Sequence, residues 1–418
     1  MVPLHLQIEQ AQADPVTSST VLTRGVASVM PQDKIQTLMD QRPIRVYLGI
    51  DPTSPNLHIG HMVPLRKLRQ LQLLGHQVFL LFGTFTGMIG DPTDKSATRV
   101  RLTQEQVAAN VATYRDQAGR ILDLAPDAEN PIQVVYNHEW LQGLSFADVV
   151  ELASNFTVNQ FVARDTYKRR LESGEPLYLH ELLYPLMQGY DSVALQVDLE
   201  VGGKDQIPNM LAGTHLLQRL EGMEKTVLGL KLIEDPSGAK MGKTTGNVVN
   251  IMEWSEVVYE ALMTWPDSTI ALGLELLTDV PMSIVKAVET EMSRIAQNES
   301  QENPVRIKEA FAWRVVAELN GVDEADYARG VFDAVKRQKQ LPPRVQEFVF
   351  DTSTPLSTVL HESKLAANLG EAQALITSGA VRVNRQPQKQ DRPLKAGDHI
   401  VELGKNSVKN VRKVSIHW

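Results

Sequence analysis

The sequence predicts an α/β protein in which a doubly wound parallel sheet is followed by an all-helical region and a small α+β module. The stretch 43–82 has the pattern strand, loop, helix, strand, which is a βαβ unit and implies parallel strands joined by crossover helices. Residues 253–345 then keep a helical pattern with prolines as breaks, and short helical and strand patterns follow residue 355.

The individual elements can be assigned in order along the chain. Residues 1–20 are polar and aperiodic, which predicts an arm, and residues 24–41 predict a turn and a short helix. A helix is predicted at 58–74, and the stretch 103–183 is mostly helical in pattern. Strands are predicted at 43–49, 77–82, 132–136, 193–201 and 226–232.

The C-terminal part predicts a linker followed by a separate module. Residues 340–354 are rich in Pro and Gln, which is typical of a linker. Two short helices are predicted at 358–369 and 370–378, and short strands at 381–383 and 399–403.

The composition excludes several classes of protein. Cysteine is absent from the 418 residues, which excludes disulfides, thiolate zinc sites and cysteine nucleophiles and is compatible with a reducing cytosol. No apolar run approaches the roughly 20 residues of a membrane span, and no signal-peptide pattern opens the chain. We therefore expect a cytoplasmic protein without a membrane partner.

The charge is distributed unevenly along the chain. The net charge is −8, yet residues 355–418 contain ten Lys or Arg and only five acidic residues. An acidic body with a basic end is typical of a protein in which one module faces nucleic acid. On charge alone, a chance basic surface explains the same numbers equally well.

The strongest local signal is the run Asp-Pro-Thr-Ser-Pro-Asn-Leu-His-Ile-Gly-His at 51–61, between a predicted strand and a predicted helix. Open α/β sheets bind nucleotides at such a position. His58 and His61 are three residues apart, so they share one face of the first helical turn, where backbone N–H groups attract phosphate. Gly60 leaves room for a flat base to approach the backbone. The competing interpretation is a solvated helix start with two incidental histidines.

A second signal is the run Lys-Met-Gly-Lys-Thr at 240–244, in which two lysines flank a glycine. Such a basic loop can follow the charge of a triphosphate as it develops on pyrophosphate. The run superficially resembles a Walker A loop, but its glycines enclose three residues instead of four, so the pattern fails. The competing interpretation is a solvated lysine-rich loop.

Taken together and in this order, the two motifs resemble the signature pair of class I aminoacyl-tRNA synthetases. Four further stretches make the chain similar to the bacterial tyrosyl-tRNA synthetase family from about residue 21 onward, namely 47–51, 83–92, 184–191 and 202–206. The resemblance implies an N-terminal arm and helix at 1–42, a Rossmann-type catalytic domain at 43–250 with a helical insert at about 120–195, a helical tRNA-binding domain at 251–339, the linker at 340–354, and an S4-like RNA-binding domain at 355–418.

The resemblance also implies an activity and its partners. ATP, accompanied by Mg²⁺, would activate L-tyrosine to tyrosyl-adenylate and pyrophosphate, and tyrosine would then pass to the 3′ end of tRNA(Tyr). No covalent enzyme intermediate and no general base are needed, because the protein positions the reactants and stabilises the leaving charge. A homodimer with its interface in the helical insert is implied, and no DNA partner.

Individual residues receive roles from the resemblance. Catalytic positions are Thr53, His58, His61, Lys95, Arg99, Lys240, Lys243 and Thr244. Tyrosine-binding positions are Tyr47, Asp91, Tyr184, Gln188, Asp191 and Gln206. ATP-binding positions are Gly49, Asp51, Gly60, Gly203, Asp205 and Met241. RNA contacts are expected from Lys364 and Arg382, and no metal ligand is predicted. Ordinary surface charge is the alternative for Lys95 and Arg99, and also for the two RNA-binding positions.

The chemistry of the tyrosine-binding positions agrees with these roles. Tyr47 and Asp191 would bind the phenol, since an ionised aspartate accepts from a phenol O–H that phenylalanine cannot offer. Tyr184, Gln188 and Asp191 are spaced i, i+4 and i+7, so one helix face can present all three. The ammonium group would be bound by Asp91, Tyr184 and Gln188. Taken alone, Asp191 is equally well a helix cap or a surface acid.

Three other functions compete with this interpretation. A tryptophanyl enzyme is the nearest, and the pairing of Tyr47 with Asp191 and the S4-like module weigh against it. A small nucleotidyltransferase would share the histidine motif but would not need a helical domain and an S4 module. A non-catalytic RNA-binding protein would be expected to lose part of the signature, and here both basic loops and the pocket acids are present.

Overall fold

The computed structural model describes residues 2–91, 102–234, 249–404 and 407–417. The predictions for Lys95, Arg99, Lys240, Met241, Lys243 and Thr244 concern residues outside these ranges. The chain divides into two compact units: 1–252 with 266–302, and 253–265 with 303–418.

The described residues form helices and strands that alternate through the first half of the chain. In chain order these are α1 (Leu4–Gln10), α2 (Ser18–Thr23), β1 (Val26–Met30), α3 (Ile35–Gln41), β2 (Arg45–Ile50), α4 (Ile59–Leu73), β3 (Gln77–Phe82), α5 (Thr86–Ile89), α6 (Gln104–Ala118), β4 (Gln133–Tyr136), α7 (His138–Leu141), α8 (Phe146–Ser154), α9 (Val158–Val162), α10 (Asp165–Ser173), α11 (Leu179–Leu195), β5 (Leu199–Gly203), a 3-10 turn (Lys204–Gln206), α12 (Ile207–Glu221) and β6 (Thr226–Leu230).

The second half is mainly helical and ends in short strands. Its elements are α13 (Ser255–Met263), a 3-10 turn (Asp267–Thr269), α14 (Ile270–Leu277), α15 (Met282–Ala296), α16 (Pro304–Asn320), α17 (Val322–Lys336), β7 (Gln346–Asp351), α18 (Leu356–Glu362), α19 (Leu369–Thr377), β8 (Val381–Val383), β9 (Gln386–Pro387), β10 (Gly397–Leu403) and β11 (Val411–His417). No helix of the described ranges is both long and apolar enough to cross a membrane.

The first unit is built on a six-stranded sheet in the order β1-β6-β5-β2-β3-β4. All neighbours are parallel except β1, which runs antiparallel to β6. From β2 the chain adds strands in one direction to β4 and then returns to add β5 and β6 on the other side, so the strand order reverses between β2 and β5. This confirms the predicted doubly wound sheet, and such a reversal is where open α/β sheets bind ligands.

The inner strands β2 and β3 are apolar along nearly their whole length. They read Arg-Val-Tyr-Leu-Gly-Ile and Gln-Val-Phe-Leu-Leu-Phe, and both 46–48 and 78–82 are buried. Runs of this kind are typical of parallel strands that carry helices on both faces. The apolar run therefore gave the correct position for both strands.

One strand prediction, 193–201, is wrong in its first part. Helix α11 continues to Leu195, which is buried, and Gln196 ends it in the left-handed conformation with φ of 46°. Only Leu199–Gly203 is a strand. The apolar residues before Gln196 extend the buried face of the helix, and a short apolar run does not distinguish that from a strand.

The N-terminal segment is also more ordered than its sequence pattern predicted. The arm predicted at 1–20 contains α1 and the start of α2, and Ile8 is fully buried. Thr17 caps α2 through a capping box with Thr20. Part of the predicted turn at 24–41 is strand β1, which pairs with the edge strand β6. The predicted aperiodic arm is therefore wrong.

The second unit combines three packed helices with a small α+β module. Helices α13, α16 and α17 pack against one another. The module has the strand order β7-β11-β10-β8-β9, with α18 and α19 packed on a buried apolar cluster. The Glu260 carboxylate of α13 accepts the backbone N–H groups of Val408 and Lys409 at 3.0 Å each, which attaches the loop before β11 to the helices.

The segment predicted as a linker, 340–354, is partly strand. Residues 346–351 form β7, which pairs in parallel with β11, and Phe348 lies opposite Val414. Phe348 and Phe350 project on the same side and their ring centroids are 6.4 Å apart. Aromatic residues at alternate positions around a β-branched valine are a strand signal that the neighbouring prolines obscured.

Candidate active site

A cavity of about 510 Å³ opens at the carboxyl ends of β2 and β5, where the strand order reverses. Its lining comes from five separate stretches of the chain, so the fold brings together residues that are distant in sequence. Fourteen residues singled out from the sequence line it: Tyr47, Gly49, Asp51, Thr53, His58, Gly60, His61, Asp91, Tyr184, Gln188, Asp191, Gly203, Asp205 and Gln206.

The two histidines lie at the start of α4. His58 is the N-cap residue, and its Nδ1 accepts the backbone N–H of Gly60 at 3.1 Å. The Nδ1 atom of His61 accepts the backbone N–H of His58 at 3.1 Å. A neutral ring whose Nδ1 accepts must carry its proton on Nε2. Both histidines therefore present an N–H donor at the end of the ring that is distal to the backbone.

The structure gives a reason for glycine at position 60 that the sequence did not reveal. A Cβ at this position would lie 3.0 Å from the ring of His58, whose centroid is 4.0 Å from that of His61. The glycine therefore lets the His58 ring fold back over the first turn to cap it.

Asp191 lies in the buried part of the cavity. Its carboxylate accepts from Trp140 Nε1 at 2.8 Å and from Asn137 Nδ2 at 3.4 Å. Burial raises the pKa of Asp191 well above its ordinary value, while these two hydrogen bonds lower it. Sequence reasoning missed Asn137, which follows directly on β4, and Trp140 of the next helix α7, although residues after parallel strands often line a site.

Asp51 directly follows β2, and two side chains donate hydrogen bonds to its carboxylate. The Tyr184 hydroxyl donates to its Oδ2 at 2.8 Å and the Thr86 hydroxyl to its Oδ1 at 2.7 Å. A Cβ on Gly83 would lie only 1.9 Å from Oδ1, so the glycine-rich loop after β3 makes room for this carboxylate. Burial and the charge of Asp51 together raise the pKa of Tyr184, which therefore remains a neutral donor.

A second carboxylate, Asp91, is held by amide groups. Gln206 Nε2 donates to its Oδ2 at 2.6 Å, and Asn209 Nδ2 lies 3.4 Å from its Oδ1. Arg164 in turn donates to the Asn209 side-chain oxygen at 2.9 Å. Asn209 and Arg164 were not predicted, because their roles depend on distances between segments that are more than 40 residues apart.

Tyr47 of β2 and Gln188 of α11 lie next to each other in the cavity. The Tyr47 hydroxyl lies 3.2 Å from Ser192 Oγ and 3.4 Å from the Gln188 carbonyl oxygen. Gln188 Nε2 donates to Glu200 Oε1 at 3.0 Å. Burial, followed by the charges of Glu200 and Asp191, raises the pKa of Tyr47 well above its ordinary value.

Comparison with known proteins identifies the chain's relatives. The family model described as tRNA synthetases class I (W and Y) matches residues 39–335, and the S4 domain model matches residues 354–400. A tyrosine–tRNA ligase of Oleidesulfovibrio alaskensis is 40% identical over 391 residues, which cover 92% of this chain and 96% of the relative. One of Carboxydothermus hydrogenoformans is 38% identical over 379 residues, covering 88% and 90%. The chain belongs to the tyrosyl-tRNA synthetase family.

Solved structures show the same fold. A C-terminally truncated mitochondrial tyrosyl-tRNA synthetase from Coccidioides posadasii gives a TM-score of 0.59 at 24% identity, covering 78% of this chain and 95% of that one. The Archaeoglobus fulgidus tyrosyl-tRNA synthetase complexed with L-tyrosine gives 0.57 at 20% identity, covering 75% and 99%. These structures confirm the predicted fold class, and the family models and relatives above confirm the predicted family and the C-terminal S4 domain.

Gly49 and Gly203 are glycines for different structural reasons. A Cβ on Gly49 would meet only Leu81 at 3.6 Å and Tyr47 at 3.9 Å, which are ordinary contacts. Since Gly49 is exposed at the cavity, a side chain there would take space from a ligand. A Cβ on Gly203 would instead lie 2.4 Å from the Asp205 carboxylate. Glycine at 203 therefore leaves room for the Asp205 side chain.

The residues expected to contact RNA lie in the S4 domain of the synthetase. Lys364 is exposed in the turn after α18, with φ of 60°. Arg382 is half-buried in β8 and lies opposite Glu402 of β10. Within the described ranges, no group of three or more His, Asp or Glu side chains is placed to hold a metal ion.

Proposed function

We propose that the protein is a tyrosine–tRNA ligase that uses the cavity to form tyrosyl-adenylate from L-tyrosine and ATP, with release of pyrophosphate. The tyrosyl group then passes to the 3′ end of tRNA(Tyr). The observation that carries this proposal is the buried Asp191 carboxylate, held by Trp140 and Asn137 inside the cavity. An ionised carboxylate accepts hydrogen bonds and offers none, which suits a phenol O–H.

The amino acid is recognised at both ends. Asp191 accepts the phenol O–H, with Tyr47 beside it, and Asp91 and Gln188 take the ammonium group together with Tyr184. Phenylalanine lacks the hydroxyl and would leave Asp191 buried without its ligand partner. Rejection of phenylalanine by such a hydrogen-bonding pocket, for which tyrosine-specific synthetases are the usual example, needs no editing site.

ATP binds where α4 begins. The Nε2–H groups of His58 and His61 donate to phosphate oxygens at the helix N-terminus, near Thr53, and Asp205 accepts from the ribose hydroxyls. We propose that the nucleoside packs against the exposed backbone at Gly49 and against the neighbouring Gly60 and Gly203. The contributions proposed for Lys95, Arg99, Lys240, Met241, Lys243 and Thr244 rest on the sequence.

The chemical step is an in-line displacement. The tyrosine carboxylate attacks the α-phosphorus of ATP, the bond to the β-phosphate oxygen breaks, and pyrophosphate carries away the charge. The residues around the cavity position the two reactants and stabilise that charge. Mg²⁺ is proposed to enter with ATP, where it neutralises phosphate charge.

The decisive experiment is ATP–pyrophosphate exchange with each of the twenty amino acids in turn. Exchange with tyrosine alone is expected. Exchange with tryptophan would overturn the roles of Tyr47 and Asp191, and no exchange by folded protein with Mg²⁺ present would favour the non-catalytic RNA-binding alternative. Tyrosylation of tRNA(Tyr) then tests the transfer step.

We further propose that two copies associate through the helical insert in the cytoplasm. Phe146, Leu179 and Val158 have exposed fractions of 84%, 76% and 65%, which is unusual for large apolar side chains grouped in one region. A second copy of the same region would bury them.

Replacing Phe146 with Glu should therefore shift the protein from dimer to monomer, because a buried charge opposes association. Mass measured by light scattering over a dilution series checks this. Val305→Glu serves as the control, since that isolated exposed valine, 44% exposed, lies on α16 outside the insert. A Phe146→Glu protein that remains dimeric would place the interface elsewhere.

The S4 domain is proposed to contact the phosphates of tRNA(Tyr) through Lys364 and Arg382. Replacing both with Gln should weaken tRNA binding at every salt concentration and lower the slope of log K against log salt by about 2, roughly one for each lost phosphate contact. Pyrophosphate exchange should not change. Lys34→Gln removes an exposed charge from the first unit and is the matched control. An unchanged slope in the double variant would contradict these contacts.

A further inference from the structure

A pair of opposite charges lies buried behind the proposed tyrosine pocket. The side chains of Lys225 and Glu200 are 0% and 2% exposed. Lys225 precedes β6 and Glu200 lies in β5, and the lysine Nζ donates to Glu200 Oε2, to Ser192 Oγ at 2.8 Å and to the Met210 carbonyl oxygen at 2.9 Å. All three N–H groups of the ammonium are thus used.

The surrounding backbone is shaped around this ammonium. Helices α11 and α12 approach closely at Gly189 and Gly213. A Cβ on Gly213 would lie 2.4 Å from Ser192 Oγ and 2.5 Å from Lys225 Nζ. Since burial of two charges is unfavourable even when they are paired, and apolar replacements are often at least as stable, stability alone explains this pair poorly.

The second oxygen of Glu200 reaches the proposed substrate-binding helix. Its Oε1 accepts from Gln188 Nε2 at 3.0 Å, and both residues line the cavity. A carboxylate only accepts hydrogen bonds, so Glu200 binds the nitrogen of the Gln188 amide. The amide oxygen of Gln188 then points away from Glu200. An amide oxygen accepts from an ammonium group, whereas an amide nitrogen would place N–H groups against it.

The same pair also supports the phenol side of the pocket. Ser192 Oγ accepts from Lys225 and lies 3.3 Å from Glu200 Oε2, to which it donates. The Tyr47 hydroxyl is 3.2 Å from that serine oxygen. Tyr47 thus reaches the charged pair through Ser192, which stays in place when the pair is removed, whereas Gln188 bonds directly to Glu200.

We propose that Glu200, held in place by Lys225, is a positioning residue for L-tyrosine: it orients the Gln188 amide so that its oxygen faces the substrate ammonium group. This inference rests on the proposed tyrosine pocket. It predicts that removal of the pair weakens recognition of the ammonium group specifically, and weakens recognition of the phenol or of ATP much less.

The test is the double variant Glu200→Leu with Lys225→Met, which removes both charges and keeps the side-chain volumes similar. In pyrophosphate exchange we expect the KM for L-tyrosine to rise about tenfold, the effect of one hydrogen bond to a charged group, with the KM for ATP within about twofold of wild type. The inhibition constant of 3-(4-hydroxyphenyl)propionate, which lacks the ammonium group, should change by less than about twofold.

Conservative replacement provides a second readout. In Glu200→Gln with Lys225→Met, the new amide oxygen can still accept from Gln188, so the KM for L-tyrosine should return to within about threefold of wild type. The pair Arg314 and Glu318 in α16, 14% and 13% exposed, is the matched control, and its replacement by Met and Leu should leave the KM for L-tyrosine unchanged.

The outcomes separate this inference from the proposed function. If wild-type protein shows no exchange with tyrosine, the proposed function fails first. If wild type exchanges and the Leu/Met variant keeps its KM for L-tyrosine, or loses L-tyrosine and the propionate equally, Glu200 does not orient Gln188. If the Leu/Met variant does not fold, the Gln/Met variant decides: a KM within threefold of wild type supports the inference, and a larger rise overturns it.

Discussion

Replacing Asp191 with Asn is expected to lower kcat/KM for tyrosine in pyrophosphate exchange by about 100-fold, while the KM for ATP stays within about twofold. The carboxylate is buried and loses the charge that accepts the phenol O–H, and hydrogen bonds to charged groups are worth about 1.5–3 kcal/mol. The change nearly conserves shape, and Trp140 can still donate to the remaining oxygen, so the protein should fold.

The pH dependence of tyrosine binding gives this prediction a second readout. Burial raises the pKa of Asp191 above its ordinary value, so the ionised form is lost at a higher pH than for an exposed aspartate. The wild-type KM for tyrosine should therefore rise as pH falls through that raised pKa, and Asp191→Asn should not show this rise.

A suitable control is Asp198→Asn. Asp198 is also buried, but it pairs with Arg42 at 2.7 Å and does not line the cavity. Its replacement should lower the melting temperature without changing the KM for tyrosine. An Asp191→Asn enzyme with the wild-type kcat/KM would remove the central support for tyrosine recognition.

Replacing His58 with Asn is expected to lower kcat for pyrophosphate exchange by roughly 10²–10³-fold with little change in the KM for tyrosine. Removing one preorganised donor to a developing negative charge has an effect of this size. Asparagine is a good N-cap residue, so its side-chain oxygen can accept the helix N–H that His58 Nδ1 accepts now. Helix stability is thus retained while the distal N–H is lost.

Comparison with His58→Ala separates the two roles of the ring. The alanine variant loses both the donor and the cap, and should be about 1 kcal/mol less stable than the asparagine variant in thermal or urea unfolding. Its kcat should be equally low. If the asparagine variant keeps wild-type kcat, His58 serves only as a cap.

The sequence predicted an element of the fold correctly where its local pattern of apolar and polar residues fits only one type of secondary structure. Strands β2 and β3 and helix α4 were placed within two residues, because uninterrupted apolar runs and a helical period leave few alternatives. The segment 193–201 failed because the same apolar residues serve helix α11 until Gln196 turns the chain. The edge strand β1 was missed, since its five residues are only partly buried.

The site shows the same division between local and distant information. The motif at 51–61 predicted the nucleotide end, although His58 proved to be the N-cap of the helix instead of part of its first turn. Asn137 and Trp140 carry no motif, and they matter only because β4 ends beside α11. Likewise, no motif includes Glu200 or Lys225, which are buried together where β5 and β6 pair.

The strand β7 has a consequence for how the S4 domain can choose among RNAs. Helix α17 ends at Lys336 and β7 begins at Gln346, so only nine residues separate the last helix from the sheet, and fully extended they span at most about 30 Å. Glu260 shortens the reach further by holding Val408 and Lys409 against α13. We therefore expect the S4 domain to bind an RNA only when the arm that it contacts lies at a suitable distance from the rest of that RNA, whatever the base sequence of the arm.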